Sequence, residues 1–186
     1  MGYHTFDADR ADRLEEARQR YRFLSAEELL WALSPDGDET VADLGSGTGF
    51  YTDDVAPAVD HVSAVDIQEA MHDYYREKGV PENVDLVTSG VADLPFETDS
   101  LDAAFSTMTY HEFADDAALT EVARVLGSGA TFVVADWAAS GRGTHGPPVD
   151  ERFSVTEAAS ALRRHGFDVR FEAERPETFL LIAHAE

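Results

Sequence analysis

The chain has 186 residues, a length that suits one domain over residues 1–186 with a sizeable hydrophobic core. It contains no cysteine, which excludes disulfides, thiolate-based zinc sites and a cysteine nucleophile. The formal net charge is −23, from 37 acidic and 14 basic residues, and neither a long apolar run nor an apolar leader is evident, so we expect a cytoplasmic protein without membrane insertion.

The chain begins with two predicted helices. Residues 10–24 are rich in charge and predict the first helix. Ser25 and Glu28 have the spacing of a capping box, which opens the second helix, AEELLWAL, before a Ser-Pro-Asp-Gly turn. We therefore distinguish an N-terminal helical segment, residues 1–38, from a core of residues 39–186.

Five apolar segments follow, separated by helical or loop sequence: ETVADL, HVSAVD, VDLVTS, LDAAFSTM and ATFVVADW. This recurrence is typical of a parallel sheet with crossover helices. One crossover helix is predicted to stop at Gly127, and another begins with the Ser154 and Glu157 capping box and stops at Gly166. Only residues 175–177 separate DVRFEAE from TFLLIAHA, which is too short for a parallel crossover. The sequence predicts an α/β fold with seven strands, mostly parallel, whose last strand is antiparallel.

The chemical centre is residues 41–52, VADLGSGTGFYT, a strand followed by a glycine-rich turn and a helix start. Gly45, Gly47 and Gly49 permit backbone angles and a close ligand approach that a Cβ would prevent. Asp66 ends the next strand, where its carboxylate can accept hydrogen bonds from the hydroxyls of a ribose. A tight turn and a helix N-cap are the alternative roles of the loop and of Asp66. The glycine loop and Asp66 together predict a nucleotide-type ligand.

Two details distinguish between cofactors. The glycines have G-x-G-x-G spacing rather than the G-x-G-x-x-G of dinucleotide sites, and Asp43 stands two residues before the first glycine. A carboxylate there is unfavourable near a pyrophosphate but favourable near an ammonium or sulfonium group. S-adenosylmethionine carries both cations, so we expect it as cofactor and S-adenosylhomocysteine as product. Asp43 could instead shape the glycine loop by hydrogen bonding.

The sequence resembles the class I S-adenosylmethionine-dependent methyltransferases, and within them the methyltransferase-11 or ubiquinone-biosynthesis-methyltransferase-like group. VADLGSGTGFYT resembles the first motif of that family, VSAVDIQEAM the ribose-binding second, and VTSGVADLPFETDSLDAAFS the third and fourth. EVARVLGSGATFVVADW resembles the following helix and strand, with residues 127–129 as Gly-Ser-Gly where Lys-Pro-Gly is common. The resemblance runs from about residue 20 to the C-terminus. It implies a Rossmann-like three-layer sandwich and in-line methyl transfer to a small-molecule acceptor.

The resemblance also implies a set of cofactor-binding residues. They are Asp43, Gly45, Ser46, Gly47, Gly49, Asp66, Ile67, Asp93, Leu94, Ser106 and Thr107. Residues 45–47 would line the methionine portion, and Asp43 would help to hold its amino group. Ser106 and Thr107 would close over the donor, or would simply make polar hydrogen bonds at a strand end.

The adenosine half of the cofactor would meet the other members of this set. By resemblance, Asp66 takes the ribose hydroxyls and Ile67 packs on the adenine face. Asp93 and the Leu94 backbone would read the adenine amino edge. The alternative for Asp93 is an ordinary loop residue in the string A-D-L-P-F.

Methyl transfer needs alignment above all, and a general base only for some acceptors. If the acceptor is a hydroxyl or an acidic carbon, the best candidates for the base are His111 and Glu112 in MTYHEF, just beyond the fourth strand. A histidine there could equally cap the next helix or fill a pocket wall. We find no ligand spacing typical of a metal site.

Aromatic residues near the N-terminus resemble the mobile cover of the family's acceptor pocket. They are Tyr3, His4, Phe6 and Tyr21, and the loop THGPPVDERFS, residues 144–154, resembles a further wall. Core packing is the alternative fate of such aromatic side chains.

The strongly negative net charge predicts a high-salt environment and does not indicate a binding partner. Lys78 is the only lysine beside thirteen arginines, which favours a halophilic protein whose self-repulsion is screened by molar salt. A nucleic-acid partner is not expected, because the best basic cluster, residues 163–165, is short. The alternatives to an enzyme of this family are a non-catalytic S-adenosylmethionine-binding regulator and a nicotinamide-dependent oxidoreductase. The methyl acceptor and the oligomeric state are left open.

Overall fold

Helices and strands alternate along residues 8–186, the part of the chain that the computed structural model describes. The α-helices are α1 (Ala17–Phe23), α2 (Ala26–Leu33), α3 (Phe50–Val55), α4 (Glu69–Lys78), α5 (Tyr110–Phe113), α6 (Asp116–Val125) and α7 (Val155–Arg164). The strands are β1 (Thr40–Leu44), β2 (His61–Asp66), β3 (Val84–Thr88), β4 (Leu101–Thr107), β5 (Leu126–Trp137), β6 (Phe167–Glu174) and β7 (Thr178–Ala185). Short 3-10 helices span Ala8–Glu15, Ala56–Ala58 and Val149–Glu151.

The seven strands form one sheet in the order β3-β2-β1-β4-β5-β7-β6. The strands from β3 to β5 pair in parallel, whereas β7 is antiparallel to both β5 and β6. The strand order reverses beside β1, so the connections that follow β1 and β4 lead to opposite faces of the sheet and leave a crevice at the carboxyl ends of these two strands. The predicted α/β fold with a reversed last strand is confirmed.

Helices cover both faces of the sheet, which gives the predicted three layers. Alternate residues of the strands face opposite sides, so Phe132 packs into one buried cluster with α6 and α7. Its neighbour Val133 packs into the other cluster, with α2, α3 and α4. Because both faces of the sheet are covered, the central strands are buried almost completely, including the polar residues at their carboxyl ends.

Most predicted helix ends agree with the structure. Ser25 and Ser154 accept hydrogen bonds from backbone N–H groups at the starts of α2 and α7, and Ser154 completes a capping box with Glu157. The single helix predicted over residues 10–24 is wrong, because the chain leaves helical geometry at Arg10 and again at Glu16.

The crossover helix expected to stop at Gly127 ends two residues earlier. α6 ends at Val125, and Leu126 already pairs with Leu101 as the start of β5. Within residues 8–186, no helix is both long enough and apolar enough to span a membrane.

Candidate functional site

The carboxyl ends of β1, β2 and β4 border a cavity of about 260 Å³. Seven of the predicted site residues line it: Gly45, Ser46, Gly47, Asp66, Ile67, Thr107 and Glu112. Leu14 and Arg20, from the two helical turns that precede α2, line it as well. The N-terminal segment therefore contributes a wall to the cavity.

The glycine loop after β1 requires glycine for two different reasons. Gly45, Gly47 and Gly49 have φ values of 81°, 55° and 77°, a region that favours glycine. A Cβ at Gly45 or Gly49 would also overlap a neighbouring side chain, Thr109 or Tyr75 respectively. Gly47 meets no such crowding and faces the cavity. Gly49 does not line the cavity, so its role in the structure is to start α3 against the Tyr75 ring.

Asp66 connects the end of β2 to the glycine loop. One of its carboxylate oxygens accepts a hydrogen bond from the Gly47 N–H at 2.8 Å, and the other accepts one from the Gln68 N–H at 2.9 Å. Only 8% of the residue is exposed, toward the cavity that it lines. Each oxygen retains acceptor capacity after these bonds, so the carboxylate can also receive hydroxyl donors.

Asp43 is buried beneath the same loop and does not line the cavity. The Thr52 hydroxyl donates to one oxygen at 2.7 Å, and the other oxygen has no hydrogen-bond partner among the described residues. Burial raises the pKa of Asp43 to about 7; the Thr52 hydrogen bond and Arg20 oppose this rise, and Asp66 adds to it. Asp43 is therefore an incompletely paired carboxyl group close to the loop.

Arg20 is a cavity residue that the sequence did not single out. Its guanidinium lies over the Tyr51 ring, 4.8 Å from the centroid, and over the Phe50 ring at 5.4 Å. Burial lowers its pKa against the opposing charges of Tyr51, Asp43 and Glu15. Its Nε has no hydrogen-bond partner among residues 8–186. The cavity wall thus carries a cation whose hydrogen bonds are not all made by the described residues.

Asp93 and Leu94, the residues predicted to read the adenine edge, lie outside the cavity. Asp93 is exposed, and the Leu94 N–H already donates to Glu121 at 3.0 Å. Neither residue lines the cavity, whose wall after β3 is formed instead by residues 89–92. Ser106 is fully buried behind the cavity, and its hydroxyl has no partner among the described residues.

The turn after β4 brings a strained residue and two ionisable residues to the cavity edge. Met108 lines the cavity with a φ of 61°, which is unusual for a residue with a side chain. The Thr109 hydroxyl donates to the Gly45 carbonyl at 3.2 Å and so joins this turn to the glycine loop. In α5, Glu112 lines the cavity and His111 does not.

His111 is held by Asp136 at the end of β5. Its Nδ1 lies 3.0 Å from both Asp136 carboxylate oxygens, and its Nε2 lies 3.9 Å from the Glu112 carboxylate. Burial acts to lower the pKa of His111, but the Asp136 charge and hydrogen bond outweigh it, so the net pKa is raised. Burial raises the pKa of Glu112 to about 7; His111 opposes this rise, and Asp66 and Asp136 add to it.

The aromatic residues predicted to cover the acceptor pocket do not line the cavity where the structure describes them. Tyr3, His4 and Phe6 lie outside the described residues. Tyr21 does not line the cavity, and its hydroxyl donates to Asp54 at 2.9 Å. The loop of residues 144–154 does not line the cavity either. It packs on Trp137 and Phe23, and its own buried Arg152 donates a hydrogen bond to the Pro147 carbonyl.

The strand order, the glycine loop and Asp66 together define the class of Rossmann-like S-adenosylmethionine-dependent methyltransferases. A family profile described as "Methyltransferase domain" matches residues 42–134, half of the chain. The chain belongs to this methyltransferase-11 family, whose cofactor is S-adenosylmethionine. The interpretation as a nicotinamide-dependent oxidoreductase is therefore not supported.

Individual relatives agree with this assignment. An S-adenosylmethionine-dependent methyltransferase from Aquifex aeolicus is 28% identical, with a TM-score of 0.88 over 98% of this chain and 100% of that one. A Haloferax volcanii methyltransferase, solved in complex with a methyltransferase activator, is 21% identical, with a TM-score of 0.80 over 95% and 94% of the two chains, and shares the fold. A demethylmenaquinone methyltransferase from Clavibacter sepedonicus is 28% identical over 82% of this chain and 56% of its own length. The chain spans about half the length of the curated relatives it matches.

Proposed function

We propose that this protein transfers the methyl group of S-adenosylmethionine to a small-molecule acceptor. The observation that carries the proposal is the shared cavity in which the glycine loop, the Asp66 carboxylate and the Arg20 cation meet. Membership of the methyltransferase family supports the same conclusion.

The groups around the cavity match the charges of the cofactor. Its methionine tail is a zwitterion, and the Arg20 guanidinium is suited to the carboxylate of that tail. The Ser46 hydroxyl lines the cavity and has no partner among the described residues, so it is suited to the ammonium group of the tail, and the Asp43 carboxyl buried beneath the loop would add a nearby negative charge. Asp66 would receive the ribose hydroxyls, and the backbone of residues 89–92 would take the place assigned to Asp93 and Leu94 beside the adenine.

When bound, S-adenosylmethionine supplies a methyl group on a positively charged sulfur. The protein holds the reacting partners in line, and the strained turn at Met108 and Thr109 fixes the wall beside them. Thr107 and Ile67 also line the cavity and would close on the donor and on the adenine face as the family resemblance implies.

The acceptor is proposed to be small and uncharged or cationic. Beside Arg20, which we assign to the cofactor, the cavity carries the acidic residues Asp66, Glu112 and Asp115. An anionic acceptor would be repelled by this wall. The name of the Clavibacter sepedonicus relative makes a hydroquinone-like ring a reasonable member of this class.

The charge of −23 supports a working environment of high salt. We infer a halophilic, cytoplasmic protein, because molar salt screens the repulsion among carboxylates while they keep the surface hydrated.

The test is methyl transfer from radiolabelled S-adenosylmethionine, in molar potassium chloride, to a panel of hydroquinones, phenols and amines. We expect labelled product together with an equal amount of S-adenosylhomocysteine for at least one class. Tight binding of S-adenosylmethionine without transfer to any member would favour the non-catalytic regulator instead.

A further inference from the structure

We propose that Glu112 accepts the proton lost by the methyl acceptor. His111, oriented by Asp136 on the side away from the cavity, positions the Glu112 carboxylate and shares its proton. Glu112 is the catalytic residue in this scheme because it faces the cavity, whereas His111 and Asp136 are positioning residues. The inference rests on the proposed methyl transfer and adds to it the kind of acceptor.

Asp136 fixes the orientation of the imidazole. It is completely buried and accepts hydrogen bonds from the His111 backbone N–H at 2.6 Å and the Trp137 N–H at 2.8 Å. Its oxygens also lie 3.0 Å from His111 Nδ1. An ionised carboxylate only accepts hydrogen bonds, so Nδ1 must carry a hydrogen. In the neutral imidazole, the lone pair is then on Nε2.

Nε2 is on the side of the ring that meets Glu112. The distance from Nε2 to the Glu112 carboxylate is 3.9 Å, beyond a hydrogen bond but short enough for a small side-chain rotation to close. Both side chains are mostly buried, with exposures of 8% for His111 and 18% for Glu112. The three groups therefore form a chain from Asp136, through the imidazole, to a carboxylate on the cavity wall.

Charges from three neighbouring elements act on this chain. Asp66 of β2 and Asp136 of β5 act on Glu112, and the 3-10 helix Val149–Glu151 adds Glu151 near His111. These anions favour a proton on both members of the pair, and burial favours it on Glu112. The raised pKa of Glu112, about 7, is a consequence of the same geometry and suits a group that gains and releases a proton near neutrality.

The step balances without any further reactant. The acceptor oxygen or carbon forms its bond to the methyl carbon while the sulfur–methyl bond breaks, and the electron pair of that bond stays on sulfur. The proton of the acceptor passes to Glu112 and is shared with His111 Nε2, then lost to solvent. The acceptor must therefore bring a removable proton, as a hydroxyl or an enolisable carbon does.

The coupling can be tested without knowing the acceptor. Histidine labelled with nitrogen-15 reports the tautomer and the titration midpoint of His111 by NMR, in the free protein and with S-adenosylhomocysteine, and a His111→Gln sample identifies its signals. We expect the neutral ring to carry hydrogen on Nδ1. Glu112→Gln should lower the midpoint by about one pH unit, because it removes a nearby negative charge.

The matched control is Glu151→Gln, which removes an exposed carboxylate outside the cavity and should shift the midpoint far less. An unchanged midpoint in Glu112→Gln, or hydrogen on Nε2 in the neutral wild type, would overturn the proposal. Both readouts are available in the free protein, so a failure to bind S-adenosylhomocysteine would count against the proposed function and not against this coupling. With an acceptor that turns over, Glu112→Gln should lower kcat by about 10²-fold or more and flatten its pH profile, while the KM for S-adenosylmethionine is unchanged. An unchanged kcat would refute the role in proton transfer.

Discussion

Replacing Arg20 by methionine tests the assignment of this residue to the cofactor carboxylate. The new side chain would keep an apolar stem against the Tyr51 and Phe50 rings but remove the guanidinium that lines the cavity. Hydrogen bonds to a charged group contribute about 1.5 to 3 kcal/mol. We take about 2 to 3 kcal/mol for a guanidinium on a carboxylate, which corresponds to a loss of about 30-fold to 150-fold in affinity for S-adenosylmethionine.

The assay is calorimetric titration with two ligands. S-adenosylhomocysteine carries the methionine carboxylate, whereas 5′-methylthioadenosine has the nucleoside and the sulfur but no amino acid group. Arg20→Met should weaken the binding of S-adenosylhomocysteine only. Arg20→Lys should restore part of the lost affinity, since lysine keeps the charge but cannot bind a carboxylate through two parallel N–H groups. Equal weakening of both ligands, or of neither, would refute the contact with the carboxylate.

Three further predictions concern stability. Burial raises the pKa of Asp43 from 3.8 to about 7, so its contribution to stability is present below about pH 4 and lost as the pH rises through 7. Asp43→Asn should therefore raise the free energy of unfolding of the unliganded protein at pH 8, by up to about 4 kcal/mol in chemical denaturation, while weakening S-adenosylmethionine binding; a less stable variant at pH 8 would contradict this. Gly49→Ala should cost at least about 3 kcal/mol, because a Cβ overlaps Tyr75, whereas Gly166→Ala, at a similar φ of 82° but in open space, should cost about 1 kcal/mol; equal costs by denaturation would show that the overlap is relieved. The melting temperature should rise by about 10 °C between 0.1 and 2 M potassium chloride, as expected if salt screens a charge of −23, and a flat profile by calorimetry would count against halophilic adaptation.

The fold was predictable because its signals are local and repeated. Most strands contain a short apolar run, and serine caps with a glutamate three residues later mark the starts of α2 and α7. The boundary at Val125 was missed because Gly127 is an ordinary helix terminator, and only the pairing of Leu126 with Leu101 in the sheet ends α6 earlier.

The side of the cavity formed by the glycine loop and Asp66 was predictable for a similar reason. The glycine loop and Asp66 are adjacent to strand ends, so their positions follow from the topology. Arg20 could not be found in this way, because nothing in the charged sequence around it distinguishes it from Arg18 and Arg22. Its position depends on how α1 packs on the Tyr51 ring, which is a tertiary contact.

The cavity wall after β3 and the surroundings of His111 show the same limit. The Glu121 carboxylate, 27 residues after Leu94 in the chain, accepts the hydrogen bond of the Leu94 N–H, and no local sequence pattern predicts that hydrogen bond. His111 and Glu112 were recognised as a pair from sequence, but which of them faces the cavity depends on Asp136, 25 residues after His111.

The central claim is that this cavity binds S-adenosylmethionine through the glycine loop and Asp66. Calorimetric titration of the wild-type protein in molar potassium chloride, with S-adenosylmethionine, S-adenosylhomocysteine and NAD, tests it most directly when repeated with Asp66→Ala. We predict micromolar binding of the first two ligands, none of NAD, and loss of binding in a folded Asp66→Ala variant. Binding of NAD alone, or of no ligand by a demonstrably folded protein, would contradict it.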